Sequence, residues 1–251
     1  MAIKKLSLLP AGRCQVDAVI LDTRLEFGQQ SVSLPIWVYL VETTDGPILI
    51  DTGMLASCVE SPTGLFGGDD DGSIVPNMQK EDTILEILNR KGYQPGDLAC
   101  VISSHLHFDH AGGNELFPNT DIVIQKAEFD AAMTEPGYLD ICKRPNLNYK
   151  VVDGDMELVP GIQLLSTPGH SPGHQSVLIQ TKDSGNVLLT IDASYTRENF
   201  EKLVPFAVNN QDQANSSILK LREIASTEKA KIFFGHDIGQ EKEWKNQLVI
   251  Y

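Results

Sequence analysis

Cysteine is scarce. The 251 residues hold four, at positions 14, 58, 100 and 142, and no pair has C-x-x-C spacing. A chain of this length has no need of disulfides, so reduced thiols in a cytoplasmic protein are the expectation. Basic residues are outnumbered: 20 Lys and Arg face 34 Asp and Glu, for a formal net charge of −14. Such a chain repels phosphate backbones, which argues against nucleic acid as a partner and leaves a neutral substrate open. No stretch approaches the ~20 apolar residues of a membrane span. The apolar start is cut short by Pro10, Gly12 and Arg13, so neither a membrane segment nor a leader is expected. Linkers, repeat arrays and low-complexity tracts are missing as well. The 41% hydrophobic content is enough for a packed core and excludes a disordered chain.

Histidine is also rare, six in all, but three fall within six consecutive positions: His105-Leu-His107-Phe-Asp109-His110. The apolar run 98–104 ahead of them reads as a buried strand, and Gly112, Gly113 and Asn114 behind them break any regular pattern. The cluster therefore belongs on the segment leaving the C-terminal end of a strand, where α/β folds carry their chemistry. In an extended segment residues i and i+2 share a side, so His105 and His107 can close on one metal ion. Asp109 and His110 point elsewhere and suit a second ion. Imidazole and carboxylate donors without thiolate suit Zn²⁺ and tolerate Mn²⁺, Co²⁺ or Fe. A merely His-rich surface loop rarely follows a buried strand.

The other histidines repeat the plan. His170 follows the strand-like 162–166, His236 ends the apolar run 231–235, and Asp192 closes the apolar run 187–191. Each has an ordinary alternative: a Pro-Gly turn for His170, a satisfied core histidine for His236, a helix cap for Asp192.

His105-x-His107-x-Asp109-His110, then His170, Asp192 and His236 in that order, resembles the metallo-β-lactamase superfamily. Ala11-Gly-Arg-Cys14, Ile50-Asp-Thr-Gly-Met54, Ser103 to Gly113, Thr167 to Ser176 and Ile191-Asp-Ala-Ser-Tyr195 resemble its N-acyl-homoserine lactonases, the quorum-quenching branch. The likeness runs from about residue 3 to about 243.

The resemblance implies an α/β fold, the αββα sandwich of two mixed β-sheets flanked by helices. It implies two divalent ions, Zn²⁺ expected, with His105, His107 and His170 on one, Asp109, His110 and His236 on the other, and Asp192 between them. A hydroxide bridging the ions would open the lactone ring, with Tyr195 donating to the developing oxyanion and Asp109 passing a proton to the leaving alkoxide. Phe108 would pack on the substrate, and Leu65 and Phe66 would line the acyl pocket. His174 and Asp51 are expected behind the ligands. The partner implied is a small N-acyl-homoserine lactone, with no nucleic acid and no membrane, and the protein a monomer or homodimer. Two other readings stay open. A thioester hydrolase of the glyoxalase II type would want cationic side chains for glutathione carboxylates. A metal- or signal-binding module would hold metal without turnover. The flavodiiron arrangement is excluded, because its first-loop Glu and its flavin domain are absent.

Along the chain, strands are expected over 4–9, 16–25, 34–42, 47–51, 121–125, 147–153 and 156–159, and helices over 80–91, 126–133 and 211–225. The stretches 39–51 and 177–192 match as strand, Asp/Gly turn, apolar strand and Ile-Asp. This predicts one domain of two similar halves, roughly 1–125 and 126–251. The long segment 53–76 reads as a binding loop. Its Asp69-Asp70-Asp71 lacks EF-hand spacing and is expected to be solvated.

Overall fold

The computed structural model describes residues 2–63, 74–181, 185–244 and the backbone of 249–250. The expected acyl-pocket residues Leu65 and Phe66 lie outside the described residues. The chain opens on strands β1 (Ile3–Asp17), β2 (Ser31–Thr43), β3 (Ile48–Ile50) and β4 (Ile74–Asn77), then helix α1 (Ile84–Arg90). Strand β5 (Cys100–Ile102) leads into the short helix α2 (Phe108–Ala111). Next come β6 (Ile122–Gln125), α3 (Lys126–Thr134), β7 (Tyr149–Val152), β8 (Met156–Val159), β9 (Ile162–Ser166), β10 (Gln175–Thr181) and β11 (Gly185–Ile191). Helices α4 (Arg197–Lys202) and α5 (Gln211–Thr227), strand β12 (Lys231–Phe234), helix α6 (Ile238–Trp244) and strand β13 (Val249–Ile250) complete the order.

Two mixed sheets form. The first runs β13-β1-β2-β3-β5-β6-β7, with β4 also on β1; the second runs β12-β11-β10-β9-β8. Period-2 alternation builds the layers. Val177 and Ile179 face the first sheet while Leu178 faces outward, and Phe233 and Phe234 divide the same way. The inner layer joins Leu6, Leu8, Tyr39 and Ile50 of the first sheet to Leu164, Leu189 and Phe233 of the second. Helix α1 covers the outer face of the first sheet through Ile84, Ile87 and Leu88. Helix α5 covers the second through Ala214, Ile218 and Leu221. This is the expected αββα sandwich.

Two local expectations need correction. The separate strands expected over 4–9 and 16–25 are one: β1 runs from Ile3 to Asp17, and a 3₁₀ turn follows at Ala18–Ile20 where the second was expected to continue. The Asp17 carboxylate accepts from the backbone N–H of Val19 (2.9 Å) and Gly28 (2.7 Å). That offers the backbone a local partner in place of a ladder. The helix expected over 80–91 is broken at Thr83, which is extended (φ −69°, ψ 147°). Asp82 turns back to cap the Gln79 N–H (2.8 Å) and closes a separate 3₁₀ turn at Lys80–Asp82.

The site lies at one end of the strands. β3 and β5 run parallel in one sheet, and β11 and β12 run parallel in the other. Asp51, His105, Asp192 and His236 all follow the ends of these four strands within three residues. No helix among the described residues is long and apolar enough to cross a membrane.

Candidate metal centre

Seven side chains converge in two groups, each with its ligand atoms within 4.8 Å of one another: His105, His107 and His170; then Asp109, His110, Asp192 and His236. In the first group three ring nitrogens form a triangle. His105 Nε2 lies 3.0 Å from His107 Nδ1, and His170 Nε2 lies 3.1 and 2.9 Å from those two atoms. Hydrogen bonds cannot fill all three edges of this triangle, because a neutral imidazole has one N–H and His105 and His170 use theirs on the outer nitrogen.

The tautomers follow from the partners. The Ser104 hydroxyl donates to Asp51 Oδ2 (2.8 Å), so His105 Nδ1–H donates to Ser104 Oγ (3.0 Å). His110 Nδ1–H donates to Asp51 Oδ2 (2.9 Å), and His236 Nδ1–H to the Pro35 carbonyl (2.8 Å). His170 Nδ1–H donates to the Tyr195 oxygen (3.2 Å). The other nitrogen of each ring therefore faces the centre, and in the neutral tautomer it carries the lone pair.

Asp192 stands between the groups. Its Oδ2 is 3.2 Å from His170 Nε2 and 3.7 Å from His105 Nε2; its Oδ1 is 3.0 Å from His236 Nε2 and 3.4 Å from His110 Nε2. Asp109 Oδ2 completes the second group at 3.3 Å from His110 Nε2. His110 Nε2 and Asp192 Oδ1 are fully buried with no hydrogen-bond partner. Buried polar atoms left open at a converging donor set fit a bound cation.

The electrostatics agree. Burial holds His105 and His170 well below the ordinary imidazole range, so both rings are neutral donors. Burial pushes the same way at His110, but the Asp192 and Asp109 carboxylates outweigh it and hold that ring well above its usual value. His236 is raised by the same balance. The proton the carboxylates keep there marks where a divalent charge fits. Burial would raise the Asp192 carboxyl, yet His110, His236 and His170 hold it well below its usual range.

A family profile described as "Metallo-beta-lactamase superfamily" matches residues 33–236. The chain belongs to the metallo-beta-lactamase superfamily. Within that superfamily it is similar to an N-acyl homoserine lactonase of Bacillus cereus, at 56% identity over 98% of each chain. The N-acyl homoserine lactonase AiiA of Bacillus thuringiensis subsp. kurstaki is also 56% identical, over 96% of each chain. The solved N-acyl homoserine lactone hydrolase with N-hexanoyl-L-homoserine bound at its catalytic metal centre superposes with a TM-score of 0.92. It is 54% identical over 97% of each chain.

In this member of the metallo-beta-lactamase superfamily a cavity of about 440 Å³ opens onto the centre. His107, Asp109, His170, Asp192 and His236 reach it, with Phe108 and Tyr195 beside them. Val16, Ile20, Leu34 and Ile36 make an apolar wall, and no lysine or arginine lines it among the described residues. The buried Tyr195 hydroxyl also lies 3.3 Å from the Ala207 carbonyl. His174 stays outside both groups: its Nε2 accepts from the Asp192 N–H (3.0 Å), and its Nδ1–H donates to Thr167 Oγ1 (2.8 Å). Burial pushes it down to about 3. Asp51 sits behind His105 and His110 as expected. Gly112 passes so close to the 54–55 backbone that a Cβ would lie 2.4 Å from Leu55 N, which fixes the back of α2.

Two residues escaped the sequence reading. Glu128, in the first turn of α3, is fully buried against both ligand loops. Tyr138 tilts its ring against His107 (centroids 5.7 Å, 37°). A first-turn Glu reads as an ordinary helix-dipole partner, and nothing local marks it as buried.

Proposed function

We propose that the chain hydrolyses the lactone ring of N-acyl-homoserine lactones with two divalent ions, Zn²⁺ the expected metal. The observation that carries this reading is one cavity lined both by five of the seven residues of the centre and by the aliphatic side chains of Val16, Ile20, Leu34 and Ile36. That shape takes a compact polar ring and an acyl tail. The relatives named N-acyl homoserine lactonases support it, as does the solved relative holding N-hexanoyl-L-homoserine. A glutathione thioester carries carboxylates, and the described lining offers no cation for them.

His105, His107 and His170 would hold one ion, Asp109, His110 and His236 the other, with Asp192 shared. When bound, two such ions lower the pKa of water towards ~7 and polarise a carbonyl. The chain's own groups do the rest. The Tyr195 O–H donates to the carbonyl oxygen as water adds and negative charge grows there. Asp109, 15% exposed at its side chain, reaches the cavity, takes the proton that the adding water loses and passes it to the ring oxygen as the C–O bond breaks. Phe108 packs on the substrate. The product is the N-acyl-homoserine.

The chain is read as one domain of two similar halves, supported by the paired hairpins β2–β3 and β10–β11. In each, the second strand goes on to pair in parallel with the next strand of its sheet, β3 with β5 and β11 with β12. It is placed in the cytoplasm as a monomer or homodimer; all four cysteines are free.

The test is proton release from short- and long-chain N-acyl-homoserine lactones, with metal-loaded and chelated protein, beside a glutathione thioester. Metal-dependent release from the lactones alone is expected. Thioester turnover with inert lactones refutes the reading.

A further inference from the structure

The Glu128 side chain has no exposed surface and no ion pair among the described residues. Each of its carboxylate oxygens accepts hydrogen bonds. Oε1 accepts from the Leu106 N–H (3.0 Å); Oε2 accepts from the Ser171 hydroxyl (2.6 Å) and the Gly173 N–H (3.0 Å). Burial, and the Glu128 carboxylate near it, push the Tyr138 phenol up. These partners are not scattered. Leu106 lies between His105 and His107, Ser171 follows His170, and the Tyr138 ring rests against His107. One buried carboxylate thus holds a neighbour of each member of the three-histidine group.

The packing leaves little slack. At Gly173 a Cβ would meet Glu128 N at 2.0 Å and Glu128 Cα at 2.7 Å. The loop after β9 therefore rests on the backbone of the first turn of α3. The other group has its own anchors, one of them shared, because Asp51 also reaches His105 through Ser104. Asp51 holds His110, Pro35 holds His236, and the Thr52 N–H donates to the His110 carbonyl (2.7 Å). None of these anchors touches Glu128.

We propose that Glu128 is the positioning residue of the His105–His107–His170 group. It fixes the gap between the loop after β5 and the loop after β9, and so sets the affinity of that half of the centre for its ion. The proposal rests on the two-ion reading above but not on the identity of the substrate. Glu128→Gln tests it, because both carboxylate oxygens face donors. The amide NH₂ must point either at the Leu106 N–H or at Ser171 and Gly173, so one side becomes donor against donor.

The measurement is a competitive chelator titration of the Co²⁺-loaded protein, followed by the paramagnetically shifted ring N–H signals. Wild type should bind two ions per chain. In Glu128→Gln one ion should weaken by about 10–100-fold, the range for partners that orient metal ligands. The shifted Nδ1–H signals of His105 and His170 should vanish while those of His110 and His236 stay. Ser171→Ala, which removes one donor and leaves the carboxylate, should weaken the same ion by less, and it stands in if Glu128→Gln does not fold. Equal weakening of both ions, no weakening, or loss at the His110–His236 half overturns the proposal. Lactone turnover by the wild type is scored apart, so a failed lactonase reading leaves this result standing.

Discussion

Replacing Tyr195 by Phe separates two jobs that one hydroxyl could perform. The hydroxyl lies 3.2 Å from His170 Nδ1 and 3.3 Å from the Ala207 carbonyl, both long beside the usual ~2.7–3.0 Å. Losing two such bonds costs about 1 kcal/mol each in stability. At about 2–4 °C per kcal/mol, the melting temperature should fall by a few degrees. The catalytic cost is larger if the hydroxyl donates to the oxyanion: removing one such donor costs about 10²–10³-fold in kcat, or ~2.7–4 kcal/mol. Burial, with Asp192 and Asp109 adding to it, pushes this phenol well above its usual value. It stays protonated, and a donor, across the working pH range, so the alkaline limb of a rate profile should be the same in both proteins. The assay is kcat and KM for a short-chain lactone with metal at saturation. The reasoning expects kcat to fall, KM to change little and two ions to remain. If excess metal restores full activity, the hydroxyl only orients His170, and its role towards the oxyanion is refuted.

Asp192→Asn should leave one ion per chain by metal analysis, since the amide offers one acceptor where two carboxylate oxygens face two histidine pairs. Two ions at full activity would remove Asp192 from between the sites. The raised His110 and His236 compete for protons with any cation, whereas the lowered His105 and His170 do not. Lowering the pH in a chelator should therefore release the ion of the Asp109–His110–His236 group first; the reverse order contradicts that balance. Phe233→Ala should cost about 3–5 kcal/mol by urea unfolding. Its ring is fully buried between the sheets and packs edge-on against Trp37, Tyr39 and Trp244 at 5.1, 5.9 and 5.2 Å.

The layers were legible because the strands are short apolar runs with a regular alternation. Val177-Leu-Ile179 and Phe233-Phe234 announce two buried faces without a neighbour's help. The seven converging residues were legible for a related reason: His105, His170, Asp192 and His236 each stand just past such a run. Asp17 and Asp82 defeated the local reading because one carboxylate, hydrogen-bonded to its own backbone, outweighs several apolar residues in sequence. Glu128 was invisible because its meaning depends on Leu106, 22 residues before it, and Gly173, 45 residues after it.

The cavity wall without lysine or arginine has a consequence for how the product is held. A lactone enters neutral, but the ring-opened molecule carries a carboxylate. It then faces Asp109, Glu135 and Asp192 in a chain of net charge −14. Apart from the ions themselves, nothing in the described lining holds that new charge. The wall that admits the substrate with indifference gives the product carboxylate no hold, so retention falls to the two ions, whose charge exceeds that of the Asp109 and Asp192 carboxylates. Inhibition by added N-acyl-homoserine should accordingly weaken as ionic strength rises and that attraction is screened.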